Sequence, residues 1–270
     1  AYEIPKRDWS SDVCSSDLRT RHDAILIATG VYKARALAAP GVGARGVVEA
    51  LDYLTASNRK SFGDDVPDFD SGALDAAGKN VIVVGGGDTA MDCVRTAVRQ
   101  GARSVKCLYR RDRANMPGSM REVKHAEEEG VEFVWLSAPE AFLGERQVEG
   151  VRAVRIHLGV ADASGRQAPQ AIAGSSHAHQ ADLVIKALGF DPEDLPTAFA
   201  APDLGVTRWG TLKLDWKSMM TTLDGVFAAG DIVRGASLVV WAIKDGRDAA
   251  DAIDRYIQAR VSQRAAAAAE

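Results

Sequence analysis

The sequence lacks the features that mark several large classes of protein. Its 270 residues include three cysteines, Cys14, Cys93 and Cys107, and no two of them form a C-x-x-C pair. We therefore expect no disulfide scaffold, zinc site or dithiol redox centre, and free thiols favour a reducing cytoplasm. The net charge of -4 gives no electrostatic basis for binding nucleic acid. No apolar run approaches the roughly 18 residues that suggest a membrane span, so no membrane association is expected.

Metal ligands and catalytic groups are also sparse. His177 and His179 stand close together in the sequence, but no cluster of carboxylates or thiolates accompanies them. We therefore expect no metal site. Neither of the two glycine-containing elements described below, at 81–92 and 226–231, supplies an acid–base catalyst. This absence is consistent with hydride transfer, in which cofactors carry the chemistry and protein groups position them.

The stretch from Val81 to Asp92 gives the strongest signal in the chain. Four β-branched apolar residues run directly into three glycines, and an amphipathic helix pattern follows from Thr89 to Gln100. Gly85, Gly87 and Ala90 match the spacing G-x-G-x-x-G/A, in which a diphosphate rests at the N-terminal end of the helix. The alternative is a plain strand-turn-helix, but the flanking strand and helix favour a dinucleotide site. Its candidate contacts are Gly85, Gly86, Gly87, Asp88, Thr89 and Ala90.

The end of the next predicted strand, Ser104–Tyr109, bears on the choice of dinucleotide. In an NAD site an acidic residue about 20 residues past the glycines binds the ribose 2′-hydroxyl, whereas arginines accept the 2′-phosphate of NADP. This chain has Tyr-Arg-Arg-Asp-Arg at 109–113, with no carboxylate at the strand end. Arg110 and Arg111 therefore predict NADP, because guanidinium groups offer forked donors and a permanent charge. The alternative is a solvated basic turn.

Two similar stretches flank this region. Asp23–Gly30 and Asp182–Phe190 each predict a buried strand that ends in small residues and a glycine. The pair suggests two nested nucleotide-binding folds, with the second inserted into the first. We therefore predict an α/β fold with two nested Rossmann-like, three-layer domains. The candidate cofactor contacts at these strand ends are Ala28, Thr29, Gly30 and Gly189.

A further glycine-containing stretch lies nearer the C-terminal end. Val226–Ala229 predicts a buried strand that delivers Gly230 and Asp231 to the carboxyl edge of a sheet, where ligands of such folds bind. The Asp can accept hydrogen bonds from a sugar or ribityl hydroxyl, and a helix predicted from about Ser237 to Arg255 begins beside it. The alternative is an ordinary strand-to-helix turn with Asp231 as a cap. The candidate flavin contacts are Gly230, Asp231, Ser237, Leu238 and Val239.

Three further local predictions concern the region between these stretches. A helix is predicted over Val47–Arg59, with Val48, Leu51 and Leu54 on one face. Ser119 and Glu122 predict a capping box at the start of a helix that reaches Glu129. Gln147–Gly159 and a weaker run before Ala181 predict an antiparallel excursion around a turn at Asp162–Gly165.

Four motifs together resemble one known family. They are Val-Ile-Val-Val-Gly-Gly-Gly-Asp-Thr-Ala-Met-Asp (81–92), Tyr-Arg-Arg-Asp-Arg (109–113), Ala-Asp-Leu-Val-Ile-Lys-Ala-Leu-Gly-Phe-Asp-Pro (181–192) and Ala-Ala-Gly-Asp-Ile-Val-Arg-Gly-Ala-Ser-Leu-Val-Val-Trp-Ala-Ile (228–243). Most of the chain from Arg21 to Ile257 is similar to the small (beta) subunits of NADPH-dependent glutamate synthases, within the two-dinucleotide flavoproteins. The resemblance implies FAD in the outer domain and NADPH in the inserted one. Electrons would then pass through iron–sulfur clusters to a large (alpha) subunit that makes glutamate from 2-oxoglutarate and glutamine.

The family pattern also has parts that this sequence does not show. In that family a cysteine-rich region for iron–sulfur clusters and a first G-x-G-x-x-G for the FAD diphosphate precede the matched region. Residues 1–18 have no helical or strand periodicity and look like translated sequencing-adapter sequence, with a native disordered tail as the alternative. We therefore expect the native protein to extend upstream. On this view the FAD domain is incomplete, the clusters belong to the missing region, and this chain binds NADPH better than FAD.

These interpretations give a domain organisation, with a crossing between domains near Pro40–Gly46. The predicted ranges are a non-native peptide at 1–18, an FAD-domain fragment at 19–45, an NADPH-binding domain at 46–190, an FAD-domain return segment at 191–260 and an alanine-rich tail at 261–270. Two other functions stay open. One is a related NADPH-dependent ferredoxin oxidoreductase or a dihydropyrimidine-dehydrogenase-like flavin subunit, and the other is a non-catalytic NADP-binding module.

Overall fold

The computed structural model describes residues 15–162, 165 and 167–268. Most of the segment predicted to be non-native, at positions 1–14, and positions 163 and 164 of the predicted turn lie outside the described residues. The chain divides into two compact units. We call residues 34–189 the inserted unit, and the described residues up to Lys33 together with those from Phe190 onwards the outer unit. The first crossing between units therefore follows Lys33, earlier than the predicted crossing near Pro40–Gly46.

The described residues contain eight helices and fifteen strands. The helices are α1 Ser15–Arg21, α2 Ala50–Ser61, α3 Pro67–Asp70, α4 Asp88–Arg99, α5 Met120–Glu128, α6 Leu195–Ala198, α7 Asp231–Arg234 and α8 Val239–Ala267. The strands are β1 Ile25–Ile27, β2 Lys33–Ala34, β3 Val47–Glu49, β4 Asn80–Val84, β5 Ser104–Leu108, β6 Glu132–Val134, β7 Ser137–Leu143, β8 Gly150–Ala161, β9 Gln167–Ala171, β10 His177–Gln180, β11 Leu183–Lys186, β12 Phe190–Asp191, β13 Leu214–Asp215, β14 Met220–Thr221 and β15 Val226–Ala228. Within this described part, no helix has both the length and the apolar character needed to cross a membrane.

The inserted unit is built on a five-stranded parallel sheet with the order β3-β11-β4-β5-β6. The central strand β4 is buried on both faces, which explains its four consecutive apolar residues. Val81 and Val83 pack in one core cluster with Tyr53 of α2 and Met91 of α4. On the other face, Ile82 and Val84 pack in a second cluster that includes residues of β7 and β8. The unit therefore has three layers, of which one is helical and one is a second sheet.

The second sheet contains the predicted antiparallel excursion and, in addition, strand β7. Its strands have the order β10-β8-β7, and β9 pairs with the later half of the long strand β8. Across the predicted turn, the Gly165 amide donates to the Asp162 carbonyl at 2.8 Å. The sequence thus predicts the run at 147–159 and its turn correctly, but it does not predict strand β7.

The predicted helix over Val47–Arg59 is wrong at its start, although Leu54 of the predicted face does pack against the core. Val47–Glu49 form strand β3, whose register with β11 pairs Val47 with Val184. Helix α2 begins at Ala50, and its buried residues are Ala50, Tyr53 and Ala56. The open edge of the parallel sheet supplies backbone partners for the β-branched residues at this point, and tertiary pairing overrides the helical periodicity.

The outer unit contains a four-stranded sheet with the order β1-β15-β14-β13. Strands β1 and β15 are parallel, and Ile25 lies opposite Val226. The prediction of a fully buried strand is wrong for Leu26, which is 43% exposed because β1 lies at the sheet edge and turns only Ile27 and Ile25 toward the core. Helix α8 extends to Ala267, well past Arg255, because a run of alanines continues it into the range predicted to be a tail.

Candidate functional site

A cavity of about 580 Å³ opens in the inserted unit where β4, β5 and β11 reach their carboxyl ends. This is the edge of a parallel sheet at which ligands of such folds bind. Most of the residues predicted to contact NADPH line this one cavity: Gly85, Gly86, Gly87, Thr89, Arg110, Arg111 and Gly189. Two others do not. Ala90 is fully buried, so its small size serves the packing of α4 on the sheet, and Asp88 has a different partner.

Each of the three glycines of the loop has a different environment. Gly85 has a φ of +151°, and a Cβ there would lie 2.1 Å from the Ala187 carbonyl oxygen. A Cβ on Gly86 would lie 2.4 Å from the ring of Tyr109, whereas a Cβ on Gly87 would meet no atom within 4 Å. Gly85 and Gly86 are therefore required by the protein itself. Gly87, the N-cap of α4, leaves open space where a ligand can approach the helix end.

Asp88 holds the segment that follows the arginines. Its Oδ1 accepts a hydrogen bond from the Ser119 amide at 3.0 Å, and the Gly118 amide donates to the Gly86 carbonyl at 3.0 Å. The predicted capping box is wrong, because the Ser119 side chain makes no cap hydrogen bond. Glu122 instead pairs with Arg95. The start of α5 is thus tied to the glycine loop through backbone amides.

The three arginines of the 109–113 stretch have different roles. Arg113 forms a forked pair with Glu127, with nitrogen–oxygen distances of 2.8 and 2.9 Å. Arg110 is exposed at the cavity. Arg111 also lines it, and its Nε is buried while no described residue accepts a hydrogen bond from it. A buried donor without a partner costs about 1–3 kcal/mol, so the site favours a ligand that brings an acceptor oxygen.

Sequence reasoning missed several residues of the cavity. Arg35, Ala36 and Leu37 line it, although they lie in the range assigned to the outer domain. Ser137, Ala138 and Pro139 of strand β7 line it as well. None of these residues belongs to a recognisable motif. Their place at the cavity depends on the path of the chain between strands, which local sequence patterns do not predict. Arg35 brings a third cation to the cavity wall.

The two described cysteines, Cys93 and Cys107, are buried in one core cluster of the inserted unit. The Cys107 thiol donates to the Gly85 carbonyl at a sulfur–oxygen distance of 3.3 Å. Burial raises the pKa of Cys107 to about 12 and also raises the pKa of Cys93. Both thiols therefore stay protonated at neutral pH and are structural, as small buried hydrophobes would be.

In the outer unit, the other predicted site residues meet at the carboxyl ends of two paired strands. Ile27 lies opposite Ala228, so Ala28, Thr29 and Gly30 follow β1 beside the residues that follow β15. Gly230 has a φ of +78° and precedes α7, which starts at Asp231. The structure thus brings the element at 28–30 and the element at 230–231 together at one sheet edge.

An ion pair that sequence reasoning missed anchors this second element. Arg234 donates to both oxygens of Asp245 at 2.6 and 2.7 Å, and Asp245 is 1% exposed. These hydrogen bonds hold the pKa of Asp245 below its usual range, despite burial. The guanidinium of Arg234 also lies 4.7 Å from the ring centroid of Trp216 and 5.1 Å from that of Trp241. The pair joins α7 to α8 and fixes the turn that carries Asp231.

The start of α8 is apolar and exposed. Leu238 and Val239, both predicted flavin contacts, are 57% and 71% exposed, and Ser237 before them is also exposed. The side chain of the N-cap residue Leu238 makes no cap hydrogen bond. An exposed apolar helix start beside the 230–231 turn is compatible with contact to an apolar ring.

The two neighbouring histidines form a contact of their own. The rings of His177 and His179 lie edge to face with centroids 5.0 Å apart. Burial, Lys106 and His177 lower the pKa of His179. Across the part of the chain that the structure describes, no group of three or more His, Cys, Asp or Glu residues is placed to hold a metal ion.

Comparisons with known proteins agree with the predicted resemblance. The chain is 66% identical over 266 residues to "Glutamate synthase [NADPH] small chain" of Azospirillum brasilense, which covers 98% of this chain and 55% of that protein. It is 42% identical over 254 residues to the protein of the same name from Escherichia coli K12, covering 92% of this chain and 53% of the relative. The chain thus spans about half the length of these relatives. The alignment that covers 98% of the chain includes part of the segment at 1–18. The non-native origin of that segment stays a prediction.

Solved structures and family membership give the same fold. FprA of Mycobacterium tuberculosis in complex with NADPH matches with a TM-score of 0.71 at 19% identity, over 92% of this chain and 66% of that chain. The predicted fold of nested Rossmann-like domains is confirmed by this likeness. Residues 6–246 match the pyridine nucleotide-disulphide oxidoreductases. The chain therefore belongs to the pyridine nucleotide-disulphide oxidoreductase family.

Proposed function

We propose that the chain is the NADPH-binding part of a glutamate synthase small subunit. In that role it takes part in electron transfer from NADPH through FAD and iron–sulfur clusters to a large subunit that forms glutamate from 2-oxoglutarate and glutamine. The observation that carries the proposal is the cavity of the inserted unit, where an open glycine loop and the buried, unsatisfied Arg111 Nε lie together. The relatives at 66% and 42% identity supply the specific reaction.

The residues present fit NADPH. Gly85, Gly87 and the first turn of α4 would hold the diphosphate, because unpaired helix amides favour negative charge. Arg110 and Arg111 would hold the 2′-phosphate, for which forked guanidinium donors are suited. NADPH supplies a hydride when bound. The protein's part is to bind, orient and shield, since no residue is needed as an acid or base.

The fit to FAD is partial. Gly30, Gly230 and Asp231 lie at one sheet edge of the outer unit, where Asp231 would accept hydrogen bonds from ribityl or ribose hydroxyls. The start of α8, with Ser237, would lie beside the flavin ring. The G-x-G-x-x-G/A spacing occurs at 85–90 and at 41–46, but of these two only 85–90 lies between a strand and a helix, and both belong to the inserted unit. We therefore propose that this chain binds NADPH more tightly than FAD.

The partner in this proposal is the large subunit of glutamate synthase, and the location is the cytoplasm. The names of the relatives support the partner. Three cysteines without a C-x-x-C pair are compatible with a reducing compartment. The iron–sulfur clusters would be bound by the upstream region that the family resemblance implies.

The test is calorimetric titration of the chain with NADPH and with NADH. Arg111→Ala should raise the Kd for NADPH by about 10-fold or more, because a charge-assisted hydrogen bond contributes about 1.5–3 kcal/mol. Arg110→Ala should act in the same direction and less strongly, since Arg110 is exposed. Arg113→Ala is the matched control, because Arg113 is engaged with Glu127. If NADPH affinity is unchanged in both cavity variants while NADH binding stays weak, the phosphate assignment is wrong.

A further inference from the structure

The loop that follows the cavity residues Arg110 and Arg111 is ordered by a carboxylate, that of Asp112, which accepts hydrogen bonds from within the loop. Asp112 Oδ1 accepts hydrogen bonds from both the backbone amide and the side-chain Nδ2 of Asn115, at 2.9 and 2.8 Å. One oxygen therefore closes the turn between these two residues. Asp and Asn side chains commonly order turns in this way.

Asn115 in turn connects the loop to its surroundings. Its Nδ2 also donates to Gln167 Oε1 at 3.4 Å, and Gln167 Nε2 donates to the Gly159 carbonyl at 3.1 Å. The Asn115 carbonyl accepts a hydrogen bond from the Tyr109 hydroxyl at 3.3 Å. The loop is thus tied both to the end of β5 and to the hairpin formed by β8 and β9.

We propose that Asp112 is a positioning residue that sets the preference for a 2′-phosphorylated nucleotide. This inference rests on the proposed function of the cavity. Asp112 is the acidic residue nearest the strand end, where an NAD site uses a carboxylate to bind the ribose hydroxyl. Here its Oδ1 accepts both hydrogen bonds from Asn115, in the turn that directly follows the two cavity-lining residues Arg110 and Arg111. Gln167, from the excursion, supports the same turn.

Charge and hydrogen bonding make opposite predictions for Asp112. As a negative charge near a phosphate, the carboxylate opposes binding, and its removal should tighten binding. As the acceptor that orders the loop, it favours binding, and its removal should weaken binding. Asp112→Asn removes the charge and keeps an acceptor oxygen, whereas Asp112→Ala removes both. The two variants therefore separate the two roles.

The experiment measures hydrogen exchange of the 110–115 amides in the nucleotide-free chain, and Kd for NADPH and NADH. We expect Asp112→Ala to speed exchange and to raise the Kd for NADPH by about 3- to 10-fold, the range for loss of one or two hydrogen bonds. Its Kd for NADH should change by less than about 2-fold, because NADH does not use the arginines. Asp112→Asn should resemble the wild type in both measurements. Asp75→Ala is the matched control, since Asp75 accepts from the Ala77 amide in a similar turn that is not part of the cavity lining.

The outcomes are distinguishable. If Asp112→Ala leaves loop exchange unchanged, or leaves NADPH affinity unchanged or tighter, the positioning role is wrong. A wild-type chain with no preference for NADPH over NADH contradicts the proposed function itself, and the specificity role of Asp112 fails with it. If Asp112→Ala does not fold, Gln167→Ala carries the test: faster loop exchange with weaker NADPH binding supports the proposal, and no change in either measurement refutes it.

Discussion

Replacing Gly86 with alanine should destabilise the inserted unit, because the ring of Tyr109 occupies the space that the added methyl group needs. The new Cβ would lie 2.4 Å from both Cδ2 and Cε2 of that ring. Carbon atoms in contact are separated by about 3.5–4.0 Å, so the ring must move by about 1 Å. The ring is held in place, because it packs edge to face on Trp135 with centroids 6.4 Å apart and its hydroxyl donates to Asn115.

The cost of this displacement follows from what is known of overpacked cores. Adding one methyl group to a tightly packed site costs about 1–3 kcal/mol of unfolding free energy. We expect a value in that range for Gly86→Ala, measured by urea unfolding of the chain. Because Tyr109 leads into the arginine loop, NADPH affinity should fall as well.

Gly87→Ala is the matched control within the same loop. A Cβ there would meet no atom within 4 Å, and the backbone of Gly87 is extended, with a φ of -92°. Its unfolding free energy should change by no more than about 0.5 kcal/mol, as for a surface substitution. NADPH affinity should nevertheless fall, because the methyl group enters the space proposed for the diphosphate. The two variants thus separate stability from binding.

A Tyr109→Leu variant tests whether the clash with the Tyr109 ring causes the loss of stability. In a Tyr109→Leu chain the shorter side chain leaves room near Gly86, so Gly86→Ala should cost at least about 1 kcal/mol less than in the wild type, as contacting residues are coupled. Equal cost in both backgrounds would refute the steric argument. So would a Gly86→Ala variant as stable as Gly87→Ala.

Three further predictions concern buried groups. Asp245→Ala should lower the unfolding free energy of the outer unit by about 3 kcal/mol or more, because it leaves Arg234 without its buried partner, and thermal unfolding with Asp248→Ala as a surface control checks this value. Arg234 lowers the pKa of Asp245, so the ion pair stabilises the fold fully above the usual aspartate pKa, and this stabilisation is lost as pH falls through the lowered pKa. Asp245→Asn should therefore make the unfolding free energy less dependent on pH in the acid range. An unchanged pH dependence in that range contradicts this prediction. Cys93 and Cys107, whose thiol pKa values are raised by burial, should react with iodoacetamide at pH 8 only after unfolding, as peptide mapping will show; labelling of either thiol in the native chain contradicts this burial.

The sequence is most informative where one segment carries its own pattern. Local periodicity predicts the strand, glycine loop and helix at 80–99 almost to the residue, because the buried strand and the amphipathic helix each repeat within a short stretch. The antiparallel excursion is predictable for the same reason. Local patterns do not predict strand β3, because its extended conformation depends on pairing with β11. Strand β11 lies at the far end of the inserted unit in sequence.

The candidate site shows the same division. Residue spacing and charge predict the cavity residues of the glycine loop and at 110–111. Arg35 and Ser137 also line the cavity, but they lie in segments without a ligand-binding motif. The partners of Asp88 and Asp245 could not be predicted from the sequence either. The fold brings Ser119 to Asp88 and Arg234 to Asp245, whereas Asp112 bonds Asn115, which lies only three residues further along the chain. Which residues bind cofactors stays a prediction.

The nesting of one unit within the other has a consequence for the order of folding. Strands β1 and β15 pair although the whole inserted unit separates them in sequence. Within the inserted unit, the Arg35 amide donates to the Gly189 carbonyl at 3.1 Å, so the two ends of that unit meet. Once it has folded, the loop left to close is roughly one fifth of its former length, and the entropic cost of closure falls by about 1.4 kcal/mol. Folding of the inserted unit would therefore bring β1 and β15 close together before they pair.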